Sequence, residues 1–532
     1  MADLVRLTAV TKDGGPLSKV IGLDGGKVRS DGSPCAMSRG TARRVRLNGD
    51  PAAGLAAVLA RLSPAEAIVL GDLADGLPDE VRIDLKARVA RAPAKGTVAR
   101  TRGTFVHRAG VPAFVLLDHD AKGVPPEAQE LLRSLGGFRA ALEVLLPGLR
   151  LAAQVARAST SAGLYNAATG ERYPGSGGEH VYLLISDGAD AERFLRALHD
   201  RAWLAGLGWC AVGGAGQLLE RSLVDRMVYA PERLCFEGGP VLREPLRQDA
   251  AARRPVAHDG PAFDSVAACP TLSPVEREKL AALKRAGAQM AAGEALRVRA
   301  EYVESQAKKI AEDRGLHAAT ARRLVESRYR GELFGSDVLL FDDPEIGAVR
   351  VAEVLADPAR YDDLALSDPL EGPAYGRGKA KVFAQPGGTT VIHSFAHGGG
   401  LYRLLHDAPS IRAEVERAAR AAVDVLASRV ADAALTEDEI EALTRLAADH
   451  AKVGVRAVAR RLKAERKRCA QETARRREQE IKWTSPLGVE GSLTNPSTPG
   501  GRYGGEENPA PVHGRVQGAS GRAAARGRQA AL

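Results

Sequence analysis

The sequence predicts an α/β (α+β) region over its first 250 residues, followed by helical modules, a small β-containing module and a disordered tail. Three observations predict this. Up to Leu246, short apolar runs alternate with glycine-rich turns and amphipathic stretches, the pattern of strands with interposed helices. From Ser273 onward, Ala, Glu, Lys and Arg dominate two stretches, as in solvent-facing helices. The 532 residues are 45% hydrophobic and 27% charged, ample for several cores and incompatible with wholesale disorder.

Residues 1–95 read as an N-terminal α/β lobe, with turns at Asp24-Gly25-Gly26 and Asp31-Gly32, a helix over 52–61 and a strand over 67–70. Residues 96–250 hold strand candidates at 114–117, 181–185 and 223–229, separated by helices over 126–145 and 191–205. Asp190, after the turn Ser186-Asp187-Gly188, is the expected N-cap of the second helix. Residues 247–269 lack periodicity, so 251–335 is assigned to a linker and a helical module of two or three helices over 273–330. Residues 336–408 form a small α/β module, with a turn at Gln385-Pro386-Gly387-Gly388 and a strand over 389–392. Residues 409–482 are helical and basic at their end, and 483–532, rich in Gly, Pro, Ser and Asn, are expected to be disordered.

The formal charge of +9 is gathered rather than spread. Residues 451–482 carry +8 and the tail +2, which leaves −1 for the first 450 residues. The basic helix, with Arg456, Arg460, Lys463 and Lys467, is therefore the electrostatic handle for a polyanion, unless it is simply a solvated helical face. Five dispersed cysteines without a CxxC or Cys/His cluster read as reduced packing residues, not as a zinc site or a disulfide framework. No run approaches the ~18 apolar residues of a membrane span, and the start MADLVRLTAV lacks a secretory pattern, so a cytoplasmic protein without membrane partners is expected.

The chemistry is concentrated in three stretches. In Pro112-Ala-Phe-Val-Leu-Leu-Asp-His-Asp-Ala-Lys-Gly123 an apolar strand runs into Asp118 and Asp120, which as i and i+2 of a strand share a face. Two adjacent carboxylates repel unless a cation such as Mg²⁺ or Mn²⁺ sits between them, though Asp-x-Asp also caps turns. Gly175-Ser-Gly-Gly-Glu-His180 is a flexible loop whose amides and imidazole suit a phosphate, although a histidine at a strand start is also commonly a packing residue. Arg221-Ser-Leu-Val-Asp225 places a third carboxylate in an apolar setting, where it needs a cation or a donor such as Arg226.

These three stretches, in this order, resemble the motifs of the archaeo-eukaryotic primase superfamily, the primase-polymerases of phages, plasmids and other mobile elements: Asp-x-Asp after a strand, a small residue before x-His, and a hydrophobic residue before Asp. The likeness covers roughly residues 1–250 and implies an RRM-like primase core. It further implies a nucleotidyltransferase acting in DNA replication, with DNA template and nucleoside triphosphates as partners. Asp118, Asp120 and Asp225 would hold Mg²⁺ or Mn²⁺ and carry the two-metal displacement, and His180 would contact the incoming nucleotide. Ser176, Lys122 and Arg221 are candidate phosphate or template contacts, though Lys122 has the simpler role of neutralising the acidic pair. A second stretch, Val391-Ile-His-Ser-Phe-Ala-His-Gly-Gly-Gly400, looks like a module found downstream of such domains. His393 and His397 there suit a metal or a phosphate, but no cysteine lies nearby and a folded β-hairpin is the expected reading. No GxxxxGK[ST] motif occurs, so a separate replicative helicase is the implied partner. Two rivals remain at this stage: a non-catalytic DNA-binding replication accessory, and an Asp-x-Asp sugar-nucleotide transferase.

Overall fold

Val5–Lys12 is the hub of the N-terminal half, because both of its edges are hydrogen-bonded. In the computed structural model, which describes residues 5–483 apart from 344, 377, 385–389, 397–399, 431–432 and 434, it lies third in a six-stranded sheet. The order is Leu234–Cys235, Glu66–Val69, Val5–Lys12, Gly40–Leu47, Glu80–Asp84, Thr97–Ala99, antiparallel except for the last pair. Helix Pro51–Arg61 begins at Asp50, whose carboxylate accepts from the Ala52 and Ala53 amides, and buries Ala52, Leu55 and Leu59 against the sheet.

A four-stranded antiparallel sheet follows, in the order Ala113–His119, Glu179–Ile185, Gln154–Ala158, Val256–His258. Its two leading strands are continuous apolar runs because both faces are covered. Phe114, Leu117, Val155 and Leu183 share one core with Leu7, Leu47, Leu55 and Leu59 of the first lobe. Helix Ala191–Leu204 packs into the same core through Phe194, Leu195 and Leu198.

The mixed α+β class is as the sequence predicts, while several elements differ. The single helix expected over 126–145 is two, Pro126–Ser134 and Phe138–Leu145. Gly136 and Gly137 break it, both at left-handed φ of 91° and 95°. Asp190 starts its helix without a side-chain cap, since its carboxylate is taken by Arg193 and Ser265. Residues 223–229 do not form a strand; the strand is Leu218–Ser222, paired with Gly208–Val212, and Arg226–Tyr229 is a 3₁₀ turn opened by the Asp225 carboxylate on the Met227 amide. The segment 247–269 is no linker. Val256–His258 is an edge strand of the four-stranded sheet, exposed along its length, so no apolar alternation marked it in the sequence. The lobes 1–95 and 96–250 also interleave, because Leu234–Cys235 joins the first sheet and Val241–Leu242 runs parallel to Val20–Asp24.

Two helices fill residues 273–330. Pro274–Arg314 is started by a Ser273/Glu276 capping box and stopped by Gly315 at φ 63°, and Ala318–Tyr329 follows. The small module is a five-stranded sheet, Glu332–Phe334, Gly400–Leu405, Val391–Ser394, Ala380–Phe383, Ala365–Leu366, over a core of Leu333, Val382, Ile392, Tyr402 and Leu404. It therefore begins slightly before residue 336. Helices Ala408–Ala418, Ala422–Arg429 and Glu437–Ala451 enclose Ile411, Leu426 and Leu443, joined by Val458 and Leu462 of Val455–Trp483. The expected turn at 385–388, His397, and residues 484–532 of the tail lie outside the described residues. None of the five cysteines forms a disulfide. Among the described residues no helix is long and apolar enough to cross a membrane.

Candidate active site

Antiparallel pairing sets Asp118 directly opposite His180, at the ends of the two leading strands of the four-stranded sheet. The His180 Nε2 to Asp118 Oδ1 distance is 3.3 Å. Asp225 reaches the same place by its backbone: its N–H donates to the Asp118 carbonyl at 3.0 Å. Residues 62 and 107 positions beyond Asp118 in sequence thus meet it by main-chain register alone. His119, between the two aspartates, faces the other way; it is buried, bonds the Leu223 carbonyl through Nδ1 at 2.9 Å and stacks on Phe138. It is a packing residue.

Asp118 is about one-third exposed and lines a cleft of about 800 Å³ together with His180, Ser159, Arg233, Arg100 and Lys19. Its carboxyl is held above the ordinary range, first by burial and then by the charges of Asp225 and Asp120, against the opposing pull of His180 and Arg233. The three carboxylates therefore share one field. Asp225 accepts from the Met227 amide at 2.8 Å and lies 3.8 Å from Arg233. Its expected partner Arg226 turns instead to Glu220, because the 3₁₀ turn carries the guanidinium away. Asp120 falls just past the strand end and is exposed, with one carboxylate oxygen on the Lys122 amide at 3.0 Å. The turn-capping alternative thus accounts for part of Asp120.

Among the described residues no three His, Cys, Asp or Glu side chains stand within joint reach of one metal ion. Asp118 and Asp225 supply a neighbouring pair of hard oxygen donors. That set fits Mg²⁺ or Mn²⁺, since magnesium is commonly held by one or two carboxylates, with water and substrate phosphates completing the shell.

Behind the cleft lies a charged cluster that the sequence did not reveal. Glu237 is fully buried, and one carboxylate oxygen takes hydrogen bonds from His180 Nδ1 and, at 2.7 Å, from the Tyr182 hydroxyl. The other oxygen is 3.1 Å from both the Arg157 and Arg253 guanidinium groups. Burial pushes Glu237 up, but the His180 bond and the surrounding cations outweigh it and bring it to about 2. Burial likewise pushes His180 down, yet its bond to Glu237 and the charges of Glu237 and Asp118 raise it above the ordinary histidine value. His180 is thus anchored at one nitrogen by Glu237, with the other facing Asp118, and the two carboxylates favour its protonated form.

Of the weaker candidates, Ser176 lies in a serine cluster, with its hydroxyl 2.8 Å from Ser159 and 3.2 Å from Ser161. Lys122 and Arg221 are exposed and do not line the cleft; Arg221 is on the hairpin strand Leu218–Ser222. The residues that sequence reasoning missed are Glu237, Arg157, Arg253 and Arg233. Only the Gly238-Gly239 pair beside Glu237 hinted at a tight position. A Cβ on Gly238 would stand 2.3 Å from the Ser63 carbonyl and 2.8 Å from that of Glu66. Gly238→Ala is therefore expected to lower the unfolding free energy by roughly 1–3 kcal/mol in denaturant titration, and an unchanged midpoint would show that the loop yields freely.

No protein-family model, curated protein or solved structure matches this chain.

Proposed function

We propose that this chain is a DNA primase-polymerase of a mobile element, transferring nucleotides in a template-directed, metal-dependent reaction to make or extend primers. The observation that carries the reading is the meeting of Asp118, His180 and Asp225, three sequence-distant motif residues, with Asp118 and His180 on the wall of one cation-lined cleft. The sheet order gives further support. The strands Ala113–His119 and Gln154–Ala158 flank Glu179–Ile185, with helices after the first and third in sequence, as expected of an RRM-like primase core.

A bound Mg²⁺ or Mn²⁺ would supply neutralisation of the triphosphate and activation of the attacking 3′-hydroxyl. Asp118 and Asp225 would hold it, with Asp120 in the same field. The His180 ring is fixed in direction by Glu237, so its Nε2, when protonated, can donate to a phosphate oxygen in the cleft without reorganising. Arg233 and Arg100 add fixed positive charge along the wall. Cytoplasmic DNA, nucleoside triphosphates and a separate helicase are the partners this reading requires.

The decisive experiment supplies single-stranded template, ribo- or deoxyribonucleotides and Mg²⁺ or Mn²⁺, and follows labelled product. Template-dependent products support the reading. DNA binding without any incorporation would favour a non-catalytic accessory, and turnover of sugar nucleotides without template would favour a sugar transferase.

Arg456, Arg460 and Lys463 are exposed on Val455–Trp483, whereas Val458 and Leu462 of the same helix are buried, so truncating the helix would also open a core. Lys467, in the unit beginning at Arg466, is exposed too. The triple variant Arg456→Glu/Arg460→Glu/Lys463→Glu is the cleaner probe. It is expected to weaken single-stranded DNA binding at low salt and to flatten the log–log salt slope by about 2, at ~0.7 per phosphate contact. An unchanged slope would assign the helix to structure alone.

A further inference from the structure

Among the described residues, the outward face of the five-stranded sheet in the small module is open at Phe395, Leu401 and Arg403 and half-buried at Phe383, Val391 and His393. Along its strands Ala380, Val382, Ile392, Tyr402 and Leu404 point into the core, so the alternating residues point away from it. Register gathers these into rows: Arg403 opposite Val391 opposite Phe383, then Leu401 opposite His393 opposite Lys381. The ladder continues to Phe395, whose N–H donates to the Lys379 carbonyl at 2.7 Å. The His393 ring stands edge-on to Phe383 and Phe395, with centroids at 6.3 and 5.1 Å. Phe395 is 50% exposed and Leu401 55%.

Cations share this part of the module with the rings. The Lys379 ammonium lies 5.3 Å from the centre of the Tyr375 ring, and Arg403 is exposed. The carboxylate at the sheet edge, Glu332, is engaged by Arg330 at 3.3 Å. Lys381 is held by Asp363 at 2.9 Å and also lines the cleft that contains Asp118, so the aromatic face starts where the cleft ends.

We propose that this face binds single-stranded nucleic acid, with bases stacked on Phe383, His393 and Phe395 and phosphates at Arg403 and Lys379. Every base offers a π-face and every nucleotide a negative charge, and a sheet face carrying both rings and cations matches both. A purely apolar patch would match a protein surface better; the cations decide the choice. The continuity with the cleft rests on the nucleotidyl-transfer reading, while the chemistry of the face stands without it.

The test uses the full chain and fluorescence anisotropy with two labelled probes of equal length, oligothymidylate and its abasic counterpart. Phe395→Ala is expected to weaken oligothymidylate binding about tenfold and to leave abasic binding unchanged. Phe395→Trp should restore it. Arg403→Gln should lower the salt slope on both probes by about 0.7. Oligothymidylate binding that is indifferent to Phe395→Ala overturns the proposal, as expected of a protein-docking face. Equal losses on both probes overturn it too, by assigning the effect to charge or to folding. Template-directed incorporation by the same preparations separates the two readings: its absence, with the difference between the probes intact, overturns nucleotidyl transfer and leaves this face as a nucleic-acid site.

Discussion

Asp118→Asn is expected to abolish template-directed incorporation while leaving the protein at least as stable as the parent. The two halves of that expectation have one cause. In the folded protein the Asp118 carboxylate is disfavoured by burial and by the nearby charges of Asp225 and Asp120, which hold its pKa above the usual carboxylate value. A carboxyl group with a raised folded-state pKa destabilises the fold at neutral pH, so the neutral isostere relieves strain. The same change deletes the central oxygen donor beside Asp225 and His180. On the proposed mechanism, incorporation should fall by about a thousandfold or more, ~4 kcal/mol of transition-state stabilisation at 1.36 kcal/mol per decade. Primer-extension rates and chemical denaturation of the same preparation check both halves. A variant that loses stability but keeps its rate would reduce Asp118 to a structural residue, and with it the enzymatic reading would fall.

Glu237→Gln should behave in the opposite way, as a failure of folding first. The carboxylate is fully buried between Arg157, Arg253, His180 and the Tyr182 hydroxyl, and the glutamine cannot neutralise the two guanidinium groups. Removing one partner of a buried ionic cluster leaves charge without compensation, and the expected loss is about 3–5 kcal/mol. The pH dependence has a definite sign. Glu237 is depressed from 4.5 to about 2 on folding, so its stabilisation is complete above pH 4.5 and is lost as pH falls toward 2. The raised pKa of His180 works in reverse: its contribution is complete below the ordinary histidine value of 6.5 and declines as pH rises through the folded value. Unfolding free energies of parent and variant should therefore differ most near pH 5–6 and converge in acid. Parallel curves across that range would show that the cluster contributes little.

The contrast between these two glutamate and aspartate positions mirrors what was legible in the chain. Asp118 announced itself by ending an apolar run, and the strands on either side of it lie where hydrophobic periodicity put them. Glu237 carried no such mark. Its partners come from three separate places in the sequence, and only the sheet order brings Arg157 beside His180 and folds Arg253 back over both. The misread segments share this cause: Val256–His258 is a strand because Gln154–Ala158 offers it an unpaired edge, and residues 223–229 fail to be one because Asp225 caps a turn.

By itself the sequence determined the alternation of buried strands and amphipathic helices, the gathering of positive charge near its C-terminal end, and the identity of the acidic and histidine candidates. Those are local properties, written in side-chain polarity at spacings of two to four residues. Only the tertiary structure decided that Asp118, His180 and Asp225 meet, that Asp120 stands slightly apart, that Arg233 is the cation beside them, and that Phe395 and Arg403 share an open sheet face. Such meetings depend on hydrogen-bond register between distant strands, where a shift of one residue sends every side chain to the other face.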